Sequence, residues 1–236
     1  MKNRPDPIEA AFQFIEKYFP NCQGAILAGS VVRGEATETS DLDIVIFDKV
    51  LSSFRVSLIE FGWNIELFAH NLSSYQFFFE SDCKEARPCM PRMISEGKTL
   101  KDTGVLSKIR KEAKNLLEQG PEEWSKEIID MKRYFITDAL DDLIGCQKRG
   151  ERIFIANKLG ELVSEFILRS NRKWIGSSKW VVRSLVHHDK EVANEFVDAF
   201  DTFYKTNDID KIVILTEQVL KPFGGRLFEG FSLGEK

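Results

Sequence analysis

The sequence predicts an α+β protein in two parts: a mixed sheet with helices over residues 1–103, then an all-α helical bundle over residues 104–236. Two observations predict it. Short apolar runs bounded by Gly, Ser and Thr lie in the first part, Gly24–Ala28 and Ile44–Phe47 foremost among them. From Gly104 onward the hydrophobic period changes from two to 3.6 and no strand pattern returns.

Taken in order, Asp6-Pro7-Ile8-Glu9 starts a helix, with Asp as N-cap, Pro at the first helical position and Glu at the third. Ile8, Phe12, Ile15 and Phe19 share a face, and Phe19-Pro20-Asn21 ends the helix. Gly24–Ala28 is a strand that leads into Gly29-Ser30, and Asp41-Leu42-Asp43 opens a second strand through Phe47. Residues 48–62 are expected to hold a short helix bearing Arg55. Trp63 to Phe68 is a third strand, with Glu66 its only charge. His70 either touches an acceptor or caps a helix beginning near Asn71, and capping is the reading taken. Tyr75, Phe77, Phe78 and Phe79 could stack on a base, but their helical spacing reads as core. Pro88 and Pro91 break regular structure before a short helix at 93–97 and a last strand at 99–102.

In the second part, Leu106, Ile109, Ala113, Leu116 and Leu117 mark one helix, closed by Gly120-Pro121. Trp124, Ile128, Met131, Phe135, Ala139, Leu143 and Cys146 mark a longer one, closed by Gly150. Ile155, Leu159, Leu162, Phe166 and Arg169 mark a third, and shorter helices near 177–187, 190–204 and 208–221 complete an antiparallel bundle.

A chain of 236 residues with 43% hydrophobic content can bury real cores. Its net charge of −4 and pI near 5.6 argue against a nucleic-acid polymer as partner, because phosphate contacts call for a basic surface. Cys22, Cys83, Cys89 and Cys146 show neither zinc spacing nor a disulfide framework, which fits a reducing cytosol. The N-terminus to Phe12 lacks the apolar stretch of a signal peptide, and no run is long enough to span a bilayer. A soluble cytoplasmic protein with no membrane partner is expected.

The chemistry concentrates between Gly29 and Phe47. Asp41 and Asp43, two apart on a strand, point the same way while Leu42 turns to the core. Convergent carboxylates repel unless a cation lies between them or a pKa shifts. Hard oxygen ligands of this kind suit magnesium held jointly with substrate phosphates. Gly29 lets backbone approach a phosphate, Ser30 adds a hydroxyl, and Arg33 can add charge. Glu66 is a lone acid inside an apolar strand, a placement that is expensive without a partner.

Gly29-Ser30, a spacer and Asp41-x-Asp43, followed by the strand-borne Glu66, resemble the signature of the DNA polymerase β superfamily of nucleotidyltransferases. The resemblance is closest to its small-molecule branch, the aminoglycoside and lincosamide nucleotidyltransferases. It implies catalysis by Asp41, Asp43 and Glu66, which would hold two magnesium ions about 3.5–4 Å apart. Glu66 either ligates the catalytic ion or takes the acceptor proton. Gly29, Ser30, Arg33 and Ser40 would bind a nucleoside triphosphate, whose nucleoside monophosphate, AMP in the first instance, passes to a hydroxyl with release of pyrophosphate. Glu35 and Glu38 depart from the pattern, since they sit in the spacer and must point away or be offset by Arg33.

The helical part carries two further features. Asp138 and Asp142 share a face with Asp141 beside them, as an acceptor-binding or proton-accepting group or as a solvated face. The run Phe166 to His188 has no Asp or Glu; within it, the resemblance suggests Lys179 for the triphosphate, against a solvated basic face. The helical domain would present the acceptor, a small hydroxylated molecule such as an aminoglycoside-like antibiotic, and the resemblance admits a homodimer. Two other readings compete. One is transfer of AMP to a protein, as antitoxin-type relatives do, although those keep their helices as a separate partner. The other is a non-catalytic nucleotide-binding regulator, which would not need three intact acids.

Overall fold

The structure is a computed structural model that describes residues 4–234, so the first three residues of the N-terminal stretch lie outside it. It divides into two compact units, Met1–Gln119 and Gly120–Lys236.

The first unit is built on a mixed sheet of β1 (Gly24–Ala28), β2 (Leu42–Phe47), β3 (Phe54–Glu60), β4 (Trp63–His70) and β5 (Lys98–Asp102). The strand order is β3-β4-β2-β1-β5, antiparallel except for the parallel pairing of β2 with β4. Alternation along the strands splits the core into two layers. Ala25, Leu27, Leu42, Ile44, Ile46, Ile65, Leu67 and Ala69 pack with Ala10, Ala11, Phe14 and Ile15 of α1 (Pro7–Tyr18). On the other face, Ile26, Val45 and Phe47 pack with three helices, α2 (Tyr75–Lys84), α3 (Cys89–Glu96) and α4 (Leu106–Gln119). Asp43 and Glu66 belong by the same alternation to this second face. The acidic site is therefore an extension of a well-packed layer, beyond its covered end.

α1 begins as expected, with Asp6 Oδ1 accepting from the Ile8 and Glu9 amides at 2.9 and 3.2 Å. Its buried stripe is rotated from the expected one: Phe12 is exposed, and the small side chains of Ala10 and Ala11 let the helix approach the sheet. Larger corrections follow. The short helix expected over residues 48–62 is instead edge strand β3, because Phe54-Arg55-Val56-Ser57-Leu58 alternates at the strand period and pairs antiparallel with β4. Pro91 does not break structure; it lies in the first turn of α3, where an absent N–H costs no helical bond. Tyr75 and Phe79 are core, but Phe77 is 68% exposed and Phe78 lies at the surface. α4 packs with the sheet, Leu106, Ile109 and Ala113 closing on Ile26, Val45 and Phe47, so the compact units part at 119/120 rather than at 103/104. A change of period marks where strands stop, not where a core ends.

The second unit is helical: α5 (Lys126–Gly145), α6 (Arg149–Ser170), α7 (Lys179–His188), α8 (Lys190–Thr206), α9 (Asp210–Leu220) and a 3-10 turn at Lys221–Phe223. These match the periodic segments of the sequence closely. α5 buries Ile136, Leu140 and Leu143 and leaves Phe135 exposed, so its inner stripe is offset from the expected one. Arg169 belongs to the packing: it is buried, donates to the Glu122 carbonyl at 2.7 Å and lies over the Trp124 ring. Among the described residues no helix is long and apolar enough to cross a membrane.

Candidate active site

Register assembles the site. Ala28 of β1 faces Asp43 of β2, and Asp43 faces Glu66 of β4, so one row across three strands carries two of the acids. Asp41 immediately precedes β2, and by alternation its side chain joins Asp43 on the same face. One carboxylate oxygen from each of Asp41, Asp43 and Glu66 lies within 4.8 Å of the other two. All three residues are partly buried. The structure thus brings together the three acids singled out in the sequence.

The electrostatics of this cluster are unfavourable on their own. Burial pushes the Asp43 carboxyl up to about 6, the charges of Asp41 and Glu66 add to the shift, and Arg33 and Arg55 oppose it. A carboxylate so placed lacks positive charge. An all-oxygen donor set at this spacing fits a hard divalent cation such as magnesium.

The turn after β1 is shaped by Gly29, which adopts φ +82°. A Cβ at that position would come within 2.2 Å of Asp43 Oδ2, so glycine is required both by conformation and by the close approach to the acid. Ser30 Oγ donates to Ser40 Oγ at 3.1 Å, and Ser40 Oγ accepts the Thr37 amide at 2.8 Å. The two serines therefore tie the ends of the loop together across the mouth of the site. Arg33 lies beside two acids, Glu35 at 3.2 Å and Glu96 of α3 at 3.7 Å. This is how the chain accommodates Glu35 in the spacer.

Arg55, expected on a helix, sits on β3 and reaches Glu66, Nη2 to Oε2 at 2.7 Å. Its guanidinium also lies 4.9 Å from the centroid of the Phe68 ring. The alternation of residues 54–58 was the available signal for this placement. His70 does not cap a helix. It is buried against Phe47 and Phe78, neither ring nitrogen has a hydrogen-bond partner, and burial lowers its pKa to about 4. The turn before α2 is closed instead by Asn71, whose Oδ1 accepts the Ser73 and Ser74 amides.

In the second unit, Asp138 and Asp142 are exposed on α5, while neighbouring Asp141 pairs with Arg226 at 2.8 Å. Lys179 is exposed at the first position of α7.

The family model for the nucleotidyltransferase domain matches residues 8–136, more than half of the chain and all of the acidic cluster. No curated protein matches. Among solved structures, a nucleotidyltransferase-like protein from Exiguobacterium sibiricum 255-15 is similar at 13% identity and a TM-score of 0.48, over 91% of this chain and 74% of that one.

Proposed function

We propose that this chain, which belongs to the nucleotidyltransferase domain family, moves a nucleoside monophosphate from a nucleoside triphosphate to a hydroxyl of a small molecule. The observation that carries the reading is the convergence of Asp41, Asp43 and Glu66 beside the Gly29-Ser30 turn. In the reaction the acceptor oxygen bonds to the α-phosphorus, the bond from that phosphorus to the bridging oxygen breaks, and pyrophosphate leaves. Asp41, Asp43 and Glu66 would hold two magnesium ions. Bound there, magnesium would make the attacking hydroxyl more acidic and stabilise charge on the departing pyrophosphate.

The remaining roles belong to the chain's own groups. Gly29 admits phosphate close to the backbone, Ser30 and Ser40 offer hydroxyls, and Arg33 offers charge to the triphosphate. Glu66 ligates the ion or accepts the proton of the acceptor hydroxyl. The family resemblance suggests Lys179 for the triphosphate, and the exposed carboxylates of Asp138 and Asp142 on α5 would suit a cationic acceptor. An aminoglycoside-like antibiotic and AMP are the acceptor and group that the small-molecule branch implies. The acidic pI supports a small molecule over a polymer.

The test is pyrophosphate release with magnesium and ATP against a panel of hydroxylated antibiotics and, separately, a bacterial protein extract. The Asp41→Asn/Asp43→Asn double variant serves as blank. Release that depends on one small molecule is expected; label transferred to protein instead would replace this reading with AMP transfer to a protein. Lys179→Ala is expected to raise the KM for ATP about tenfold, the worth of one phosphate ion pair, with kcat changed less than twofold. An unchanged KM would return Lys179 to the solvated surface.

A further inference from the structure

Arg55 stands on the third acid by construction of the sheet. In the β3–β4 register Ser57 faces Glu66 and Arg55 faces Phe68, so Arg55 reaches Glu66 along the diagonal, a distance that suits a long side chain. Two contacts fix its guanidinium: the 2.7 Å bond to Glu66 Oε2 and the face of the Phe68 ring at 4.9 Å. Only Oε2 of Glu66 is engaged by this bond, and one oxygen of the same carboxylate lies within 4.8 Å of oxygens of Asp41 and Asp43. Arg33 also acts on the cluster, through its charge on Asp43, but it forms ion pairs with Glu35 and Glu96, whereas Arg55 is in direct contact with one of the three acids.

We propose that Arg55 is a positioning residue for Glu66 and that acid's resident counter-ion: it orients the Glu66 carboxylate toward the metal position and weakens metal binding before nucleotide arrives. The proposal rests on the nucleotidyltransferase reading of the three acids. A divalent cation at the cluster shares Glu66 with a guanidinium, and like charges a few ångströms apart disfavour each other even in a solvated cleft. Nucleotide phosphates add negative charge and offset that repulsion, so the metal would load chiefly together with its triphosphate. A lysine would keep the charge and lose both the fork and the stacked plane. The ordinary alternative is a surface ion pair of little consequence, since the Arg55 side chain is 60% exposed against 29% for Glu66.

Manganese binding to the nucleotide-free protein, followed by the paramagnetic signal of the free ion, separates these. Arg55→Met is expected to bind manganese about tenfold more tightly than the parent, from the removed repulsion. Arg55→Lys is expected to keep the parent affinity. In the transfer assay both variants are expected to lose about tenfold in kcat with little change in the KM for ATP, because the orientation of Glu66 is lost in each. Arg55→Gln, neutral and hydrogen-bonding, repeats the charge test should the methionine variant fold poorly. Parent-like manganese affinity in both neutral variants would overturn the proposal. If the transferase reading alone were wrong, the parent would show no turnover while the manganese difference between parent and Arg55→Met persisted.

Discussion

Asp43→Asn is expected to fold as the parent does and to release pyrophosphate on the order of a thousandfold more slowly. That is the rate equivalent of several kcal/mol of charge stabilisation, at about 1.4 kcal/mol per decade. The substitution keeps the shape of the side chain and its place opposite Ala28 and Glu66 while removing the charge. Comparable turnover in the variant would remove Asp43 from the metal-holding set. The same variant has a second signature. The folded-state pKa of Asp43 is raised to about 6, above its ordinary value of 3.8, so between these values the folded chain binds a proton that the unfolded chain does not. The sign follows: with metal chelated, stability contributed by this group is greatest at low pH and is lost as pH rises through about 6. After allowance for partial solvent exposure, the loss amounts to about 2 kcal/mol, given 1.36 kcal/mol per pKa unit. Urea midpoints at pH 5 and 7.5 in chelator should show about half of this loss in the parent minus Asp43→Asn difference, the other half falling between the unfolded pKa of 3.8 and pH 5. Saturating magnesium should reverse it, because the ion favours the ionised carboxyl. A difference that does not change with pH would contradict the electrostatic account.

Gly29→Ala is expected to damage both fold and activity. At φ +82° an alanine is strained, and its Cβ would stand 2.2 Å from Asp43 Oδ2, so the acid or the turn has to move. The backbone strain costs about 1–2 kcal/mol, and displacement of Asp43 should lower transfer about a hundredfold, as misplacement of a reacting group by an ångström does. Ser30→Ala, which removes one hydroxyl and leaves the backbone free, should cost about tenfold, the scale of one hydrogen bond. Denaturation curves and pyrophosphate release read the two effects separately. Parent-like release from Gly29→Ala would show that the turn tolerates displacement and that Gly29 has no special part in the site.

The cluster was legible because its residues sit on strong local signals. Gly29-Ser30 ends an apolar run, Asp41-x-Asp43 opens another, and Glu66 is the only charge in its strand. The helices of the second unit were legible for the same reason, each repeating apolar residues over several turns. The strand placement of Arg55 is not legible because a short segment between Ser52-Ser53 and Gly62 satisfies a helical pattern as readily as an alternating one, and the pairing with β4 decides between them. The burial of His70 is not legible because nothing local announces that a histidine will be enclosed by Phe47 and Phe78, which come from different elements. Pairing partners and burial are properties of the assembled sheet. They have no short-range trace in the chain.

The parallel pairing of β2 with β4 has a consequence for how the chain folds. Asp43 and Glu66 meet only when these strands lie in register, with β3, which separates them in the chain, placed outside β4 at the sheet edge. Until then the acids are apart, and their mutual repulsion has no effect on collapse. The same register completes the donor set, so a divalent ion finds all three ligands only once β2 and β4 have paired. Magnesium should therefore slow unfolding by holding the finished sheet closed, and an accelerated folding rate would place the β2–β4 pairing already in the folding transition state.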